Sequence, residues 1–353
     1  MAYTTIDDPS AHFQTATYTG NAGALNIVNG GNSDLQPDLV WLKDRGATNS
    51  HRLVDSSRGV QEAIRSNADS AEGTDTGLVT AFNSDGFSHN STDTAWNGSG
   101  DTYVAWQWKA NGGTRTTNTE SGNNPAGGYQ ANTTAGFSIV DYTGTGAAGT
   151  MAHGLGAVPT CMIIKNRGES VDWGVYHQEM SSAGNDSYLE LNTNDATATA
   201  GTMWNDTTPT SSVFTIGSNT KTNKDGIKYI AYLFAEKQGY FKAGQYTSNN
   251  NADGPFIYTG FKPACVITKM YADAGTNWRI YDNLREGFNG DNEFFELNSN
   301  SAEASSSQMD FHSNGFKLVD AEGDSNYNDD TIFYFAWAES PFVSSEGIPT
   351  TAR

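Results

Sequence analysis

Tyr103-Val104-Ala105-Trp106-Gln107-Trp108, Tyr229-Ile230-Ala231-Tyr232-Leu233-Phe234 and Tyr334-Phe335-Ala336-Trp337-Ala338-Glu339 are three versions of one strand. Each sets an aromatic two residues before an alanine and a second aromatic directly after it. Each also follows a polar turn: Gly100-Asp101-Thr102, Asp225-Gly226 and Asp329-Asp330-Thr331. Side chains alternate faces along a strand. Large apolar groups fall on both faces here, which predicts a central strand covered on both sides.

Outward from these strands the same signals recur in the same order. An alternating strand opens each unit: Phe13 to Thr19, Phe137 to Thr143, and Phe241 to Thr247. A proline-initiated strand follows at Pro37, Pro159 and Pro263, and it ends in Lys43, Lys165 and Lys269. A third strand begins at His51, Trp173 and Trp278, and a fourth signal lies around Arg65, Glu190 and Glu296. Long runs at helical spacing are missing, and 38 Gly with abundant Ser, Thr and Asn read as many turns. The prediction is an all-β chain of three tandem antiparallel β-sandwich modules, of the jelly-roll or lectin-like kind. The modules span 1–112, 136–238 and 239–343, with a Gly/Asn/Thr-rich linker at 113–135 and a polar tail at 344–353.

The chain has 40 acidic and 20 basic residues, a net charge of −20. This excludes a nucleic-acid partner, which needs clustered Lys and Arg, and argues against anionic membrane. No charged and apolar leader opens the sequence, and no run approaches the ~20 apolar residues that span a bilayer, so membrane insertion is not expected. Synthesis in a cytoplasm without export is the expectation. Cys161 and Cys265 occupy equivalent places in two units, which predicts that they lie far apart and stay as buried free thiols.

Several strings together resemble a family of marine bacteriophage proteins. They are Tyr18-Thr19-Gly20-Asn21, Pro37-Asp38-Leu39-Val40-Trp41-Leu42-Lys43, Asn83-Ser84-Asp85-Gly86-Phe87, Trp204-Asn205-Asp206-Thr207 and Ala338-Glu339-Ser340-Pro341-Phe342. Members of that cyanophage-type family are described as tail-fibre or virion structural proteins with concanavalin A-like domains. The resemblance implies a virion component made in the host cytoplasm, with other virion proteins as partners. It supplies no catalytic, metal or cofactor residues.

The residues themselves offer few chemical constellations. Glu293 with Glu296, and Glu190 at the equivalent place, are candidates for the paired carboxylates of a glycosidase. The same position holds Arg65 in the first unit, which favours a strand surface over a catalytic pair. Asp291 with Asn292, Asp324 with Asn326 and Asn328, and Asp329 with Asp330 could supply oxygens to calcium, yet their spacing is that of solvated turns. His51, His153, His177 and His312 have no metal-ligand spacing. Lys43, Lys165 and Lys269 read as sheet-edge lysines paired with carboxylates. Trp106 and Trp337, and Trp173 and Trp278, sit at repeated positions and read as core. Trp96 and Trp204 lie in polar contexts and read as exposed platforms for glycan contact.

The functional expectation is therefore non-enzymatic: a structural component of a virion, either fibre, knob or other appendage. A glycan-binding module for host attachment is the alternative, with a host-surface glycan as ligand, and a depolymerase comes last. The second aromatic face of each central strand needs cover, which predicts a closed homo-oligomer, a trimer by preference.

Overall fold

The computed structural model describes residues 2–180, 186–285, 289–321, 323–327 and 329–350. It is all-β. Sheet 1 consists of β1 (Phe13–Thr19), β2 (Leu39–Asp44), β3 (Arg52–Asp55) and β4 (Thr102–Trp108), in the order β1-β4-β2-β3. Sheet 2 takes β5 (Thr116–Asn118), β6 (Gly127–Asn132), β7 (Phe137–Thr143), β8 (Cys161–Asn166), β9 (Gly174–His177) and β10 (Lys228–Phe234), in the order β5-β6-β7-β10-β8-β9. Sheet 3 contains β11 (Phe241–Thr247), β12 (Phe261–Met270), β13 (Arg279–Asp282), β14 (Asn292–Glu296), β15 (Ala304–Ser306) and β16 (Thr331–Pro341), in the order β11-β16-β12-β13-β14-β15.

One four-strand order thus recurs: the opening strand, the aromatic strand, the proline-initiated strand and the short third strand. All pairs are antiparallel, with Trp108, Phe234 and Trp337 opposite Phe13, Phe137 and Phe241 on one side. On the other side they face Leu39, Cys161 and Cys265. The aromatic strand is central in every sheet, as its two-faced pattern requires.

Each main sheet turns one face to a smaller outer layer. Ala24–Ile27 pairs with Phe87–Asn90 over sheet 1, Gly149–Ala152 with Val213–Ile216 over sheet 2, and Phe256–Tyr258 with Gly315–Leu318 over sheet 3. Ala105, Val40, Leu42 and Phe87 share one such core, while Ala231, Leu233, Tyr176 and Phe214 share another.

The opposite faces meet one another. Trp106, Trp108, Tyr232, Phe234, Phe335 and Trp337 belong to a single buried cluster drawn from all three sheets. At its centre the rings of Trp108, Phe234 and Trp337 form a triangle with centroid separations of 6.4, 5.4 and 5.3 Å. Pairing makes Trp337 the counterpart of Trp108, two residues on from the match with Trp106 expected from the sequence, and the three equivalent positions meeting at one point define a quasi-threefold axis. Each ring buries roughly 150–250 Å², so this contact is a core in its own right. A 20 Å³ cavity beside it has room for about one water, but its lining of Leu, Ile, Trp and Phe side chains keeps such a space dry.

Two expectations change and a third loses its stated ground: the aromatic faces that called for a homotrimer are covered within the chain. The stretch 113–135 is no linker, because β5 and β6 add two strands to sheet 2, with Tyr129 packed on its outer core. Asp38 fastens its start by accepting from the Ala110, Gly112 and Gly113 amides at 2.8 Å each. Cys161 and Cys265 are free and buried, as expected, but they share one core instead of lying in separate ones. The axis brings equivalent positions together. Burial pushes both thiols up.

Candidate functional site

The sheets are joined by the segment that follows each third strand, and each segment docks on the next sheet. Backbone carbonyls of the fourth-signal residues do the handing over. Trp173 Nε1 donates to Arg65 O at 2.9 Å and Trp278 Nε1 to Glu190 O at 3.0 Å. His51, at the equivalent place, sets Nε2 3.2 Å from Glu296 O while its Nδ1 accepts from Trp41 Nε1. Sheet 1 thereby holds sheet 2, sheet 2 holds sheet 3, and sheet 3 holds sheet 1. The ring is closed.

Lys43, Lys165 and Lys269 are corrected by this geometry. They are buried rather than paired with carboxylates at a sheet edge, and they cap loop carbonyls. Lys165 Nζ donates to Asp69 O of the docking segment at 2.9 Å, to Asn166 O and to Val171 O. Lys43 serves Asp44 O and Ala47 O, and Lys269 serves Met270 O and Thr276 O. Desolvation lowers all three to about 8.

Charge closes two of the three joints. Between sheets 1 and 2, Glu72 bridges Arg58 (2.9 Å) and Arg167 (2.7 Å), and Arg58 also pairs with Asp55, both side chains fully buried. Tyr232 from sheet 2 donates to Asp55 at 2.8 Å. Between sheets 3 and 1, Glu303 bridges Arg285 (2.8 Å) and Arg45 (2.7 Å), Arg285 pairs with Asp282, and Trp106 Nε1 donates to Asp282 at 2.9 Å. The joint between sheets 2 and 3 is different. His177, Met180, Thr197 and Tyr271 occupy the four corresponding places, and the ring of Phe333 lies between His177 and Tyr271 at 4.1 Å from each. Burial lowers His177 to about 3.

Open clefts follow these joints. One of 330 Å³, between sheets 3 and 1, is lined by Arg45, Thr102, Glu293 and Glu303. The expected carboxylate pair is not assembled there. Glu296 turns to Asn277 and Glu190 to Lys221, whereas Glu293 shares Arg45 with Glu303. Desolvation and the neighbouring Glu303 raise Glu293, and against its own burial Glu303 is held below its usual value by a hydrogen bond with Glu293 and by the Arg45 and Arg285 guanidinium groups. Glu303 is a strut between arginines. Sequence reasoning missed it, and its one signal was the repeat spacing it shares with Glu72.

A second cleft, of 520 Å³, lies between sheets 1 and 2. Ser57, Arg58, Arg115, Thr117, Asn118, Asp141, Arg167 and Lys228 line it. Arg115 makes a two-pronged pair with Asp141 at 2.7 Å. Lys228 is exposed at the start of β10.

The two tryptophans expected to form glycan platforms are buried, Trp96 at 4 % and Trp204 at 0 % exposure. They sit on matching four-residue helices, α1 (Thr94–Asn97) and α2 (Gly201–Trp204), and close the outer cores. Exposed rings occur instead at Phe256 and Tyr258, which point outward from the outer strand of the third unit. Among the described residues, no group of His, Cys, Asp and Glu is placed to hold a metal ion. Asp324 binds Arg279, and the Asn326 amide binds Asn251 O and Asp320 O, while Asn328 lies outside the described residues.

Residues 8–341 match the model of a family described as a domain of unknown function, DUF7483. No curated protein and no solved structure matches. The chain belongs to that family.

Proposed function

For this family member we propose a non-enzymatic structural role in a bacteriophage virion, as a fibre, knob or other surface appendage made in the host cytoplasm. The observation that carries the reading is the closed ring. All three aromatic faces are spent on a common core, and every joint is locked by buried side chains. Units so joined move as one body, because large apolar interfaces suppress hinge motion. A rigid quasi-threefold block suits mounting on symmetric virion proteins, and the sequence resemblance points to the same setting. Immunogold labelling of purified particles from the encoding virus tests it. Labelled particles are expected. Abundant protein in the infected lysate with none on the particles would overturn the proposal.

Recognition of a host-surface glycan is the second reading. It no longer rests on Trp96 and Trp204, and the polar cleft between sheets 1 and 2 favours it. A depolymerase has less support, since Glu293 and Glu303 are engaged by Arg45.

A further inference from the structure

We propose that the cleft between sheets 1 and 2 binds the anionic unit of an acidic saccharide, one bearing carboxylate or sulfate. The inference rests on the glycan-recognition reading and is independent of where the chain sits on a particle.

Four of the chain's 20 basic residues, Arg58, Arg115, Arg167 and Lys228, line this one cleft with a single carboxylate, Asp141, in a chain of net charge −20, and Arg58 is buried against Asp55 and Glu72. Two of them are unnecessary for closing the ring. The joint between sheets 3 and 1 is built on the same Arg–Glu–Arg pattern, yet it has Thr102 where sheet 2 has Lys228, as the strand registers show. No counterpart of β5 borders sheet 1, so Arg115 has no equivalent there either. Arg115 is taken up by Asp141, and Lys228 therefore serves something other than closure.

Cationic donors remain open. Arg167 uses Nε and Nη2 on Glu72, and its Nη1 has no partner among the described residues. The Lys228 ammonium has none either. A guanidinium with a free edge beside a mobile ammonium suits an oxyanion, which accepts from both at short range. The surrounding Ser57, Thr117, Asn118 and Thr143 offer hydroxyl and amide partners, which fits a hydroxyl-rich ligand. Tyr142 is the one ring in the lining and it is buried, so no platform stacks a base, and the overall charge repels a long polyphosphate. At 520 Å³ the cleft lies within the range of small-ligand sites.

Calorimetric titration of the full chain decides this, with an oligoguluronate tetrasaccharide, a heparin tetrasaccharide, neutral maltotetraose and sodium sulfate as probes. Saturable binding of either acidic tetrasaccharide, with none of maltotetraose, is expected, and the arm that binds names the anion. Lys228→Gln should weaken that binding at least about tenfold, the loss of one charge-assisted hydrogen bond. Lys228 is exposed, so the variant should fold, and an unchanged melting curve confirms it. Lys317→Gln, at the distant pair with Asp253, should change nothing. Four results would overturn the proposal. They are no binding of either acidic tetrasaccharide at millimolar concentration, equal binding of maltotetraose, equal binding of free sulfate, or equal weakening by the two lysine variants.

Discussion

The joint between sheets 1 and 2 and the joint between sheets 2 and 3 do the same mechanical task with opposite chemistry. Asp55, Arg58, Glu72 and Arg167 hold the first by charge. His177, Met180, Thr197 and Tyr271 stand at the corresponding places in the second, where two rings enclose Phe333. A buried ion network is costly to desolvate and unforgiving when one member is lost. An apolar stack has no such vulnerability, but a buried neutral imidazole ties it to pH. The ring tolerates either solution because the contact that dominates it, the aromatic triangle on the axis, is common to all joints.

Arg285→Met breaks the charged joint between sheets 3 and 1 most severely. It leaves Asp282 buried without a cation and Glu303 with one arginine, and should cost about 3–5 kcal/mol in urea unfolding. A loss below about 1 kcal/mol would mean that the network is idle. The comparison sharpens when one joint is rebuilt as the other. Combining Asp55→His, Arg58→Met, Glu72→Thr, Arg167→Tyr, Ile230→Phe and Tyr232→Phe transplants the stack into the first joint. The combined variant should lie within about 2 kcal/mol of the parent, far less damaged than Arg58→Met alone.

Acid should weaken the stacked joint. His177 is lowered by burial to about 3 in the folded chain, so the unfolded chain takes up the proton first. Unfolding free energy then falls as pH drops from about 6.5 towards 3, by up to about 1.4 kcal/mol per pH unit from this group. His51, His89 and His153 shift in the same direction and add to the loss. Melts of His177→Leu between pH 7 and 5 should show a shallower dependence than the parent. Identical slopes would place the imidazole's proton elsewhere. The smallest effect belongs to an exposed pair away from every joint: Lys317→Ala, opposite Asp253, should change stability by less than about 1 kcal/mol.

Much of the architecture could be read in the residues. The aromatic-alanine-aromatic strands announce their own centrality, and the signals around them form strands as read, although the last strand of each unit in sequence lies second in its four-strand set. What could not be read is how sheets face one another, because that depends on residues far apart in the chain. The Trp173 indole meets Arg65 O, and nothing local to either residue says so. Lys43, Lys165 and Lys269 misled because a lysine that caps carbonyls looks, in sequence, like one facing solvent. Trp96 and Trp204 misled through their polar neighbours, although Trp-Asn recurs at both places (Trp96-Asn97 and Trp204-Asn205). A repeated large aromatic signals packing more reliably than its flanking composition signals exposure. In 113–135 the glycines concealed two strands, since Gly127 and Gly128 lie where a Cβ would strike Asp141 O and the Arg115 side chain.

The triangle of Trp108, Phe234 and Trp337 has a consequence in mass action. Three separate subunits meeting at such an axis would come apart on dilution, because their union depends on concentration. Here the three contributors are covalently continuous, so each finds the others at an effective concentration set by the tether alone. An isolated copy at high dilution keeps its centre intact. Continuity also releases the three faces from the identity that a symmetric oligomer imposes. One joint can then keep its ions, another can stack its rings, and a third can border a basic cleft, all around the same axis.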